Sequence, residues 1–424
     1  MSKSQRYNSI ILLLILFENL FLWIFHKYLI TSQTVNAFGY FATSLLIGIT
    51  VLVKFYNAGP LQVYDYPTAK RKTGLLLLFA GCFLLLNELT IQLIKTWKYE
   101  LSSDIIPAVQ LMAKTLLAGG YPYGKDVLVP ITIQRISNYL PMHWLPYTLA
   151  EYFHFDYRTV SFGIWTTAAF MVMYRSSRSR NLQMPLLIPV LFTAIYALIY
   201  FQYPSVIGVT IEIMVAGYYM LLIMSLNQKN FVLTGMAIAI CLLSRYFALL
   251  WLPLWAFVMF ISGNRKALLK TTLVTILAIC FIYIIPFLSK DWSSLGHSLK
   301  DYETLPYNEW LHFSYDNHPM HLFDGTGFAH LFFEKYKNGL LVEGYHYYKI
   351  MFMFMLSLSL AIMGGWYWLN RNKININVFL MASFKIYLSV FLAFILVPYT
   401  YLMVTANFIS LALLAEQARY KITD

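Results

Sequence analysis

Residues 74 to 94 read GLLLLFAGCFLLLNELTIQLI, and Lys70, Arg71 and Lys72 stand just before them. As an α-helix these residues are about 31 Å long, close to the roughly 30 Å hydrocarbon core of a bilayer. Glu88 is their single charged side chain. A basic cluster beside such a run marks a cytosolic edge, because Lys and Arg are enriched in the short loops left on that side. The stretch therefore reads as a membrane crossing that starts in the cytosol.

Working outward, comparable apolar runs lie at 9–30, 35–54, 158–174, 186–202, 205–226, 268–288, 347–369, 376–395 and 397–417, with a compressed pair over 231–262. Every second break is basic: Lys3 and Arg6; Lys54 with Lys70, Arg71 and Lys72; Arg175, Arg178 and Arg180; Lys229; Arg265, Lys266 and Lys270; Arg371 and Lys373; Arg419 and Lys421. The pattern predicts an all-α polytopic membrane protein of about twelve transmembrane helices, multi-pass in the cell membrane, with both termini cytoplasmic. The first run is too long for a signal-peptide core and is expected to be retained.

Composition agrees. The 424 residues are 59% hydrophobic and only 12% charged, too few charges to cover a water-soluble surface. The net charge of +12 is scattered between apolar runs, so it reads as topology and not as a nucleic-acid footprint. Cys82, Cys241 and Cys280 lie inside apolar runs without CxxC spacing, which excludes a disulfide framework or a cysteine zinc site. No repeat or linker is visible, so 1–424 is expected to be one membrane-embedded domain. Within it, 1–73 carries an N-terminal helix pair and 347–424 the C-terminal helices.

Two long segments, 95–157 and 289–346, fall on the extracytoplasmic side of this topology and hold most acidic residues. All nine histidines lie in them, except His26 near the outer end of the first run. In the first segment, Ser102, Ser103 and Asp104 can cap a helix, Pro107 suits a first turn, and Gly119 with Gly120 ends it. Ile105, Val109, Met112 and Leu116 repeat at helical spacing, which predicts a helix lying on the membrane surface. Asp104 then stands where the helix dipole favours a carboxylate, able to take a proton from a sugar hydroxyl. The alternative is a plain helix cap.

The compressed pair, Phe231 to Ile261, provides about 47 Å of helix where two crossings of a 30 Å core need about 60 Å. It must turn inside the membrane, and Arg245 lies about 21 Å up from Phe231, near that turn. An Arg at such depth needs a partner or a watery cavity, unless it snorkels to the headgroups. In the second segment, Asp316-Asn-His318-Pro is the cluster nearest to acid–base chemistry. His318 and His321 are three apart, but Pro319 between them and the lack of a third ligand argue against metal.

The Asp just beyond a transmembrane run, the helix ending Gly119-Gly120-Tyr121-Pro122-Tyr123, and the Tyr139-Leu-Pro step before the next crossing resemble the first outer loop of the type C (GT-C superfamily) membrane glycosyltransferases. Bacterial polyprenyl-phosphate-sugar-dependent mannosyltransferase-like members are the most similar in pattern. The likeness spans residues 74–290. It departs in the two helices that precede the loop-bearing one, and in a single acidic residue where many relatives show a pair. Ser244-Arg245-Tyr246, leading to Leu252-Pro253, resembles the point where a basic residue of that family meets the donor phosphate.

The resemblance implies an inverting transfer of a sugar, mannose for example, from a polyprenyl-phosphate donor to a glycan, lipid or protein acceptor. It gives Asp104 as general base, Arg245 and His318 at the donor phosphate, and Lys114, Tyr121, Tyr123, Tyr139 and His143 as substrate contacts. No cofactor and no metal is expected, because cationic side chains can steady a leaving phosphate monoester. An O-antigen polymerase or ligase also has about twelve helices, but relies on loop arginines, and 289–346 holds none. A transporter or flippase would concentrate ionisable groups inside the helices, where Glu88, Glu212, Arg245 and Lys385 are the few candidates.

Overall fold

A computed structural model describes residues 3–29, 32–59, 61–63, 69–99, 103–123, 126–129, 132–136, 139–179, 183–228, 230–311 and 318–421. Glu100, Ser102, Asn138, Arg180, Lys229, His312, Asp316 and Asn317 lie outside the described residues.

The chain is almost entirely helical. Helix α1 (Lys3–Leu20) continues as a π-helical stretch, Phe21–Leu29, and α2 (Gln33–Phe55) follows. Next come α3 (Ala69–Thr96) and α4 (Ile105–Leu117). The turns α5 (Pro141–Trp144) and α6 (Thr148–Phe153), joined by a 3₁₀ turn over Leu145–Tyr147, lead into α7 (Tyr157–Ser176) and α8 (Gln183–Gln202). Then follow α9 (Pro204–Gly208), α10 (Glu212–Leu226), α11 (Phe231–Leu242), a 3₁₀ segment Tyr246–Trp251, α12 (Leu252–Ile261) and α13 (Arg265–Ile279). The remainder is α14 (Ser293–Leu311), α15 (Met320–Phe323), α16 (Ala329–Tyr336), α17 (Leu341–Asn370), α18 (Ile376–Phe394) and α19 (Thr400–Gln417). Two short antiparallel ribbons complete the set, Gln62–Val63 with Tyr420–Lys421 and Asp126–Val129 with Thr132–Ile136.

Among the described residues seven helices are long and apolar enough to cross a membrane: Lys3–Phe25, Gln33–Phe55, Lys72–Thr96, Gln183–Gln202, Arg265–Ile284, Leu341–Asn370 and Ile376–Phe394. The other expected crossings form helices that are shorter or less apolar. The run at 205–226 breaks at Val209–Ile211 into α9 and α10, and the 231–262 pair breaks after Leu242. The polar residues of α19 are directed into the protein, since every residue from Leu402 to Gln417 is buried.

The helices form two compact units where one domain was expected. The first comprises 1–64, 250–265 and 301–424, the second 65–249 and 266–300. The second nearly coincides with the 74–290 stretch, except that α12 packs with α17 and α18 in the first unit. The N-terminal pair is likewise no appendage, because α1 and α2 pack against α18 and α19.

In the first unit α2 and α18 approach closely at Gly48, where a Cβ would come within 2.5 Å of Ile386. Polar side chains run through the bundle. Lys385 and Glu18 are fully buried and paired; Lys385 Nζ donates to Glu18 Oε1 at 2.5 Å and to Ala406 O at 3.2 Å, and Ser410 donates to Glu18 Oε2 at 2.7 Å. Asn407 donates to Asn19, and Tyr40 to Asn407. Lys54 reaches Asn8 and Gln417.

In the second unit α7 crosses α10 at Gly217, where a Cβ would meet the Trp165 backbone at 3.1 Å. Asp156 caps α7 and also grips Arg158. Arg158 is itself buried and donates to Trp97 O and Ile94 O, carbonyls at the end of α3. α4 follows the predicted pattern, with Ile105, Val109 and Met112 buried and Lys114 exposed. Its apolar face is taken up by the protein, against α5 and α6, and not by a membrane surface as expected.

Candidate functional site

Arg245 stands just beyond α11, in the turn Leu243–Arg245 that splits the compressed pair. Tyr219 of α10 holds this turn in place, donating its hydroxyl to Arg245 O at 2.7 Å and accepting the Ala248 N–H at 3.2 Å. The guanidinium does not snorkel. Its Nε donates to Glu212 Oε1 at 3.1 Å and Nη2 reaches the same oxygen, with the Arg245 side chain 17% exposed and Glu212 fully buried. Glu212 opens α10, where its charge suits the helix dipole. Its second oxygen, Oε2, has no hydrogen-bond partner.

His143 lies beside this pair. Its helix α5 is fixed by Met142 N–H donating to Leu243 O at 2.9 Å, and by the Tyr218 hydroxyl directed at Met142 O at 3.4 Å. The imidazole is fully buried, neither ring nitrogen has a hydrogen-bond partner, and Tyr139 meets it edge-on at 5.4 Å. Burial, and then the positive charge of Arg245, hold the His143 pKa well below its usual value, so the ring is neutral. A buried polar group without a partner costs roughly 1–3 kcal/mol, and three such atoms belong to the elements tied together here. They are Glu212 Oε2 and the two nitrogens of His143.

Asp104 is half-buried at the start of α4 and makes no capping hydrogen bond. Ser103 provides the cap: its Oγ accepts the Ile106 N–H at 3.1 Å and donates to Val209 O at 2.6 Å. Asp104 has helical φ and ψ of −95° and −23°, so it is in effect the first helical residue. The Ser103 to Val209 bond joins the start of α4 to the chain three residues before Glu212. Tyr139 packs against Ala108 of α4 as well as on His143. Asp104, Tyr139, His143, Glu212 and Arg245 therefore belong to elements tied directly together.

The other expected contacts are placed differently. Tyr123 is buried in an aromatic cluster with Trp144, Tyr283 and Phe287, and its hydroxyl accepts the Trp144 indole N–H at 3.1 Å. Burial pushes the Tyr123 phenol up, as it does that of Tyr121, whose hydroxyl donates to Phe287 O at 3.3 Å. Lys114 is exposed in the last turn of α4. His318 belongs to the first unit, with Nδ1 3.6 Å from Glu334 and its ring against Phe323 and Phe333.

Sequence reasoning gave Arg245 no partner. Glu212 is that partner, and the available signal was the need of any intramembrane cation for an opposite charge. His321 also went unassigned: Glu309 holds its Nδ1 at 2.9 Å while accepting the Tyr399 hydroxyl, so it shares no ligand geometry with His318. Among the described residues no group of three or more His, Cys, Asp or Glu side chains could hold a metal ion. Comparison with family models, curated proteins and solved structures finds no match for this chain.

Proposed function

We propose that the protein is an integral membrane glycosyltransferase that moves a sugar from a polyprenyl-phosphate donor to an acceptor outside the cytosol, with inversion at the anomeric carbon. The observation that carries the reading is the buried Arg245–Glu212 pair with an unpartnered imidazole beside it, tied to a helix start whose carboxylate is not used as a cap. A guanidinium held by a carboxylate is pre-oriented, and its fork matches a phosphate. Asp104 removes the proton from the acceptor hydroxyl as oxygen attacks the anomeric carbon, and the bond to the donor phosphate breaks. The leaving phosphate takes up negative charge against Arg245.

The test is transfer of labelled mannose from a polyprenyl-phosphoryl-mannose, in proteoliposomes supplied with cell-envelope acceptors. Label appearing on the acceptor, and lost in Asp104→Asn, supports the reading; label that never leaves the lipid sinks it. Sidedness is tested with an impermeant maleimide in intact cells. Tyr152→Cys and Met320→Cys should react, both positions being well exposed, while Lys72→Cys should not.

A second reading, a polytopic transporter or flippase, is favoured by the Glu18–Lys385 pair inside the helices of the first unit. The same proteoliposomes decide between the two, because a flippase would move labelled lipid across the bilayer without transferring its sugar.

A further inference from the structure

We propose that binding of a singly charged phosphodiester beside Arg245 takes up one proton, and that His143 is the group that receives it. This deepens the donor reading above and rests on it. The argument begins with charge. Glu212 and Arg245 form an ion pair that sums to zero, and both Glu212 and His143 are fully shut off from solvent. A phosphodiester at the partly exposed guanidinium adds one negative charge, so the occupied site would carry a net anion against two fully buried groups, one of them a carboxylate. A second cation is needed there.

His143 is placed to become that cation. Its ring is buried without a hydrogen-bond partner for either nitrogen, and α5 is bonded to the chain two residues before Arg245. The titratable or charged groups on the elements packed around it are Arg245 and Tyr246, Glu212, Tyr218 and Tyr219 of α10, Cys241 of α11, Tyr147 on the 3₁₀ turn, Tyr139, Tyr123 bonded to Trp144, and Asp104 and Lys114 at the two ends of α4; the Cys241 thiol is pushed up by burial. The phenols are neutral near pH 7. Asp104 and Lys114 have opposite signs. The imidazole is thus the group with a proton affinity that an incoming anion can move across neutral pH.

The sign follows from linkage. Without ligand, burial and the charge of Arg245 hold the His143 pKa below its ordinary 6.5. A bound anion offsets the field of Arg245 and gives the imidazolium a partner, so the bound pKa is the higher of the two. Between the two values binding carries a proton with it. Affinity then rises as pH falls, by up to about tenfold per pH unit, and levels off on either side.

The experiment uses the full chain in nanodiscs and farnesyl-phosphoryl-mannose as probe. This diester has one charge that does not titrate near neutrality, whereas a phosphate monoester has a second pKa of about 6 and would confuse the reading. Its Kd is measured by calorimetry from about pH 5 to about pH 8, the range in which a histidine switches, in two buffers of different ionisation enthalpy that count protons directly. Uptake approaching one proton, with affinity rising toward acid pH, is expected. In His143→Gln the pH slope should vanish. Glu212→Gln removes the standing negative charge, so it should bind more tightly than wild type near pH 8, with a flattened slope; a merely structural Glu212 would lose affinity. Binding without proton uptake, or a slope that survives in His143→Gln, overturns the inference and leaves the donor reading intact. No binding at any pH overturns the donor reading, and this inference with it.

Discussion

Glu18–Lys385 in the first unit and Glu212–Arg245 in the second are both acid–base pairs with a fully buried carboxylate, and they are finished differently. In the first unit Glu18 has both oxygens bonded, to Lys385 and Ser410, and Lys385 makes a second bond to a backbone carbonyl. In the second unit Glu212 is equally buried, but one of its oxygens has no partner, its cation is 17% exposed, and His143, which feels that cation's charge, has neither ring nitrogen bonded. A saturated pair inside a helix bundle fixes which helices meet and in what register. An unsaturated one bears a standing cost of desolvation that a bound polar group would relieve. On the reading proposed above, the first pair holds helices together and the second meets the donor.

That contrast breaks most visibly at Asp104. As a general base it must stop working as an amide, so Asp104→Asn should lower sugar transfer by about 10² to 10⁴, the range for acid–base catalysis. Thermal unfolding should hardly change, since Ser103 and not Asp104 makes the capping bond. Wild-type transfer in the Asn variant would move the search for the base to other carboxylates.

The converse is expected of the saturated pair. Lys385→Met leaves Glu18 as an uncompensated buried charge and should cost about 3–5 kcal/mol of stability, read from thermal unfolding in detergent. Adding Glu18→Gln should restore most of that loss. If the single variant instead unfolds like wild type yet changes solute movement in proteoliposomes, the pair is working machinery and the transporter reading gains.

How much of this could be read in the sequence depends on the range of the contacts concerned. Apolar runs and their basic flanks placed α2, α3, α8, α17 and α18, because a helix that fills a bilayer carries its signal locally. Spacing and turn residues likewise gave α4 between Ser103 and Gly119. The arithmetic of a pair too short for two crossings put a turn near Arg245, where α11 indeed ends. What stayed hidden is long-range. Glu212 and Arg245 are 33 residues apart, and Lys385 and Glu18 are 367 apart. Nothing local distinguishes Asp104 from a cap either, because Ser103 one residue earlier fits the same role equally well, and which oxygen meets the Ile106 N–H is settled only by the Ser103 to Val209 contact across 106 residues.

Glu212 also changes what a substitution at Arg245 can test. Arg245→Leu would strand a buried carboxylate and so report on folding. Arg245→Lys retains a cation for Glu212 and gives up the planar fork, which at a phosphate is worth about 1.5–3 kcal/mol, or roughly tenfold to a hundredfold in donor Kd. Unfolding should shift little while donor binding weakens by that factor. Unchanged donor affinity in the Lys variant would show that the guanidinium serves Glu212 alone, and would make the two pairs alike after all.

The smallest expected effect concerns the same distinction at a helix end. Ser103 accepts the Ile106 N–H and donates to Val209 O, so it is the bonded member of the Ser103–Asp104 step, while Asp104 contributes no cap. Ser103→Ala should therefore destabilise by about 1 kcal/mol, the usual cost of losing an N-cap, and should speed amide exchange in the first turn of α4. Transfer should fall less than in Asp104→Asn, since the carboxylate is still present and only its mounting loosens. Asp104→Ala should do the reverse, abolishing transfer with little change in first-turn exchange. Should exchange instead rise in Asp104→Ala and stay slow in Ser103→Ala, the carboxylate is the cap, and the proposed role of Asp104 as general base falls.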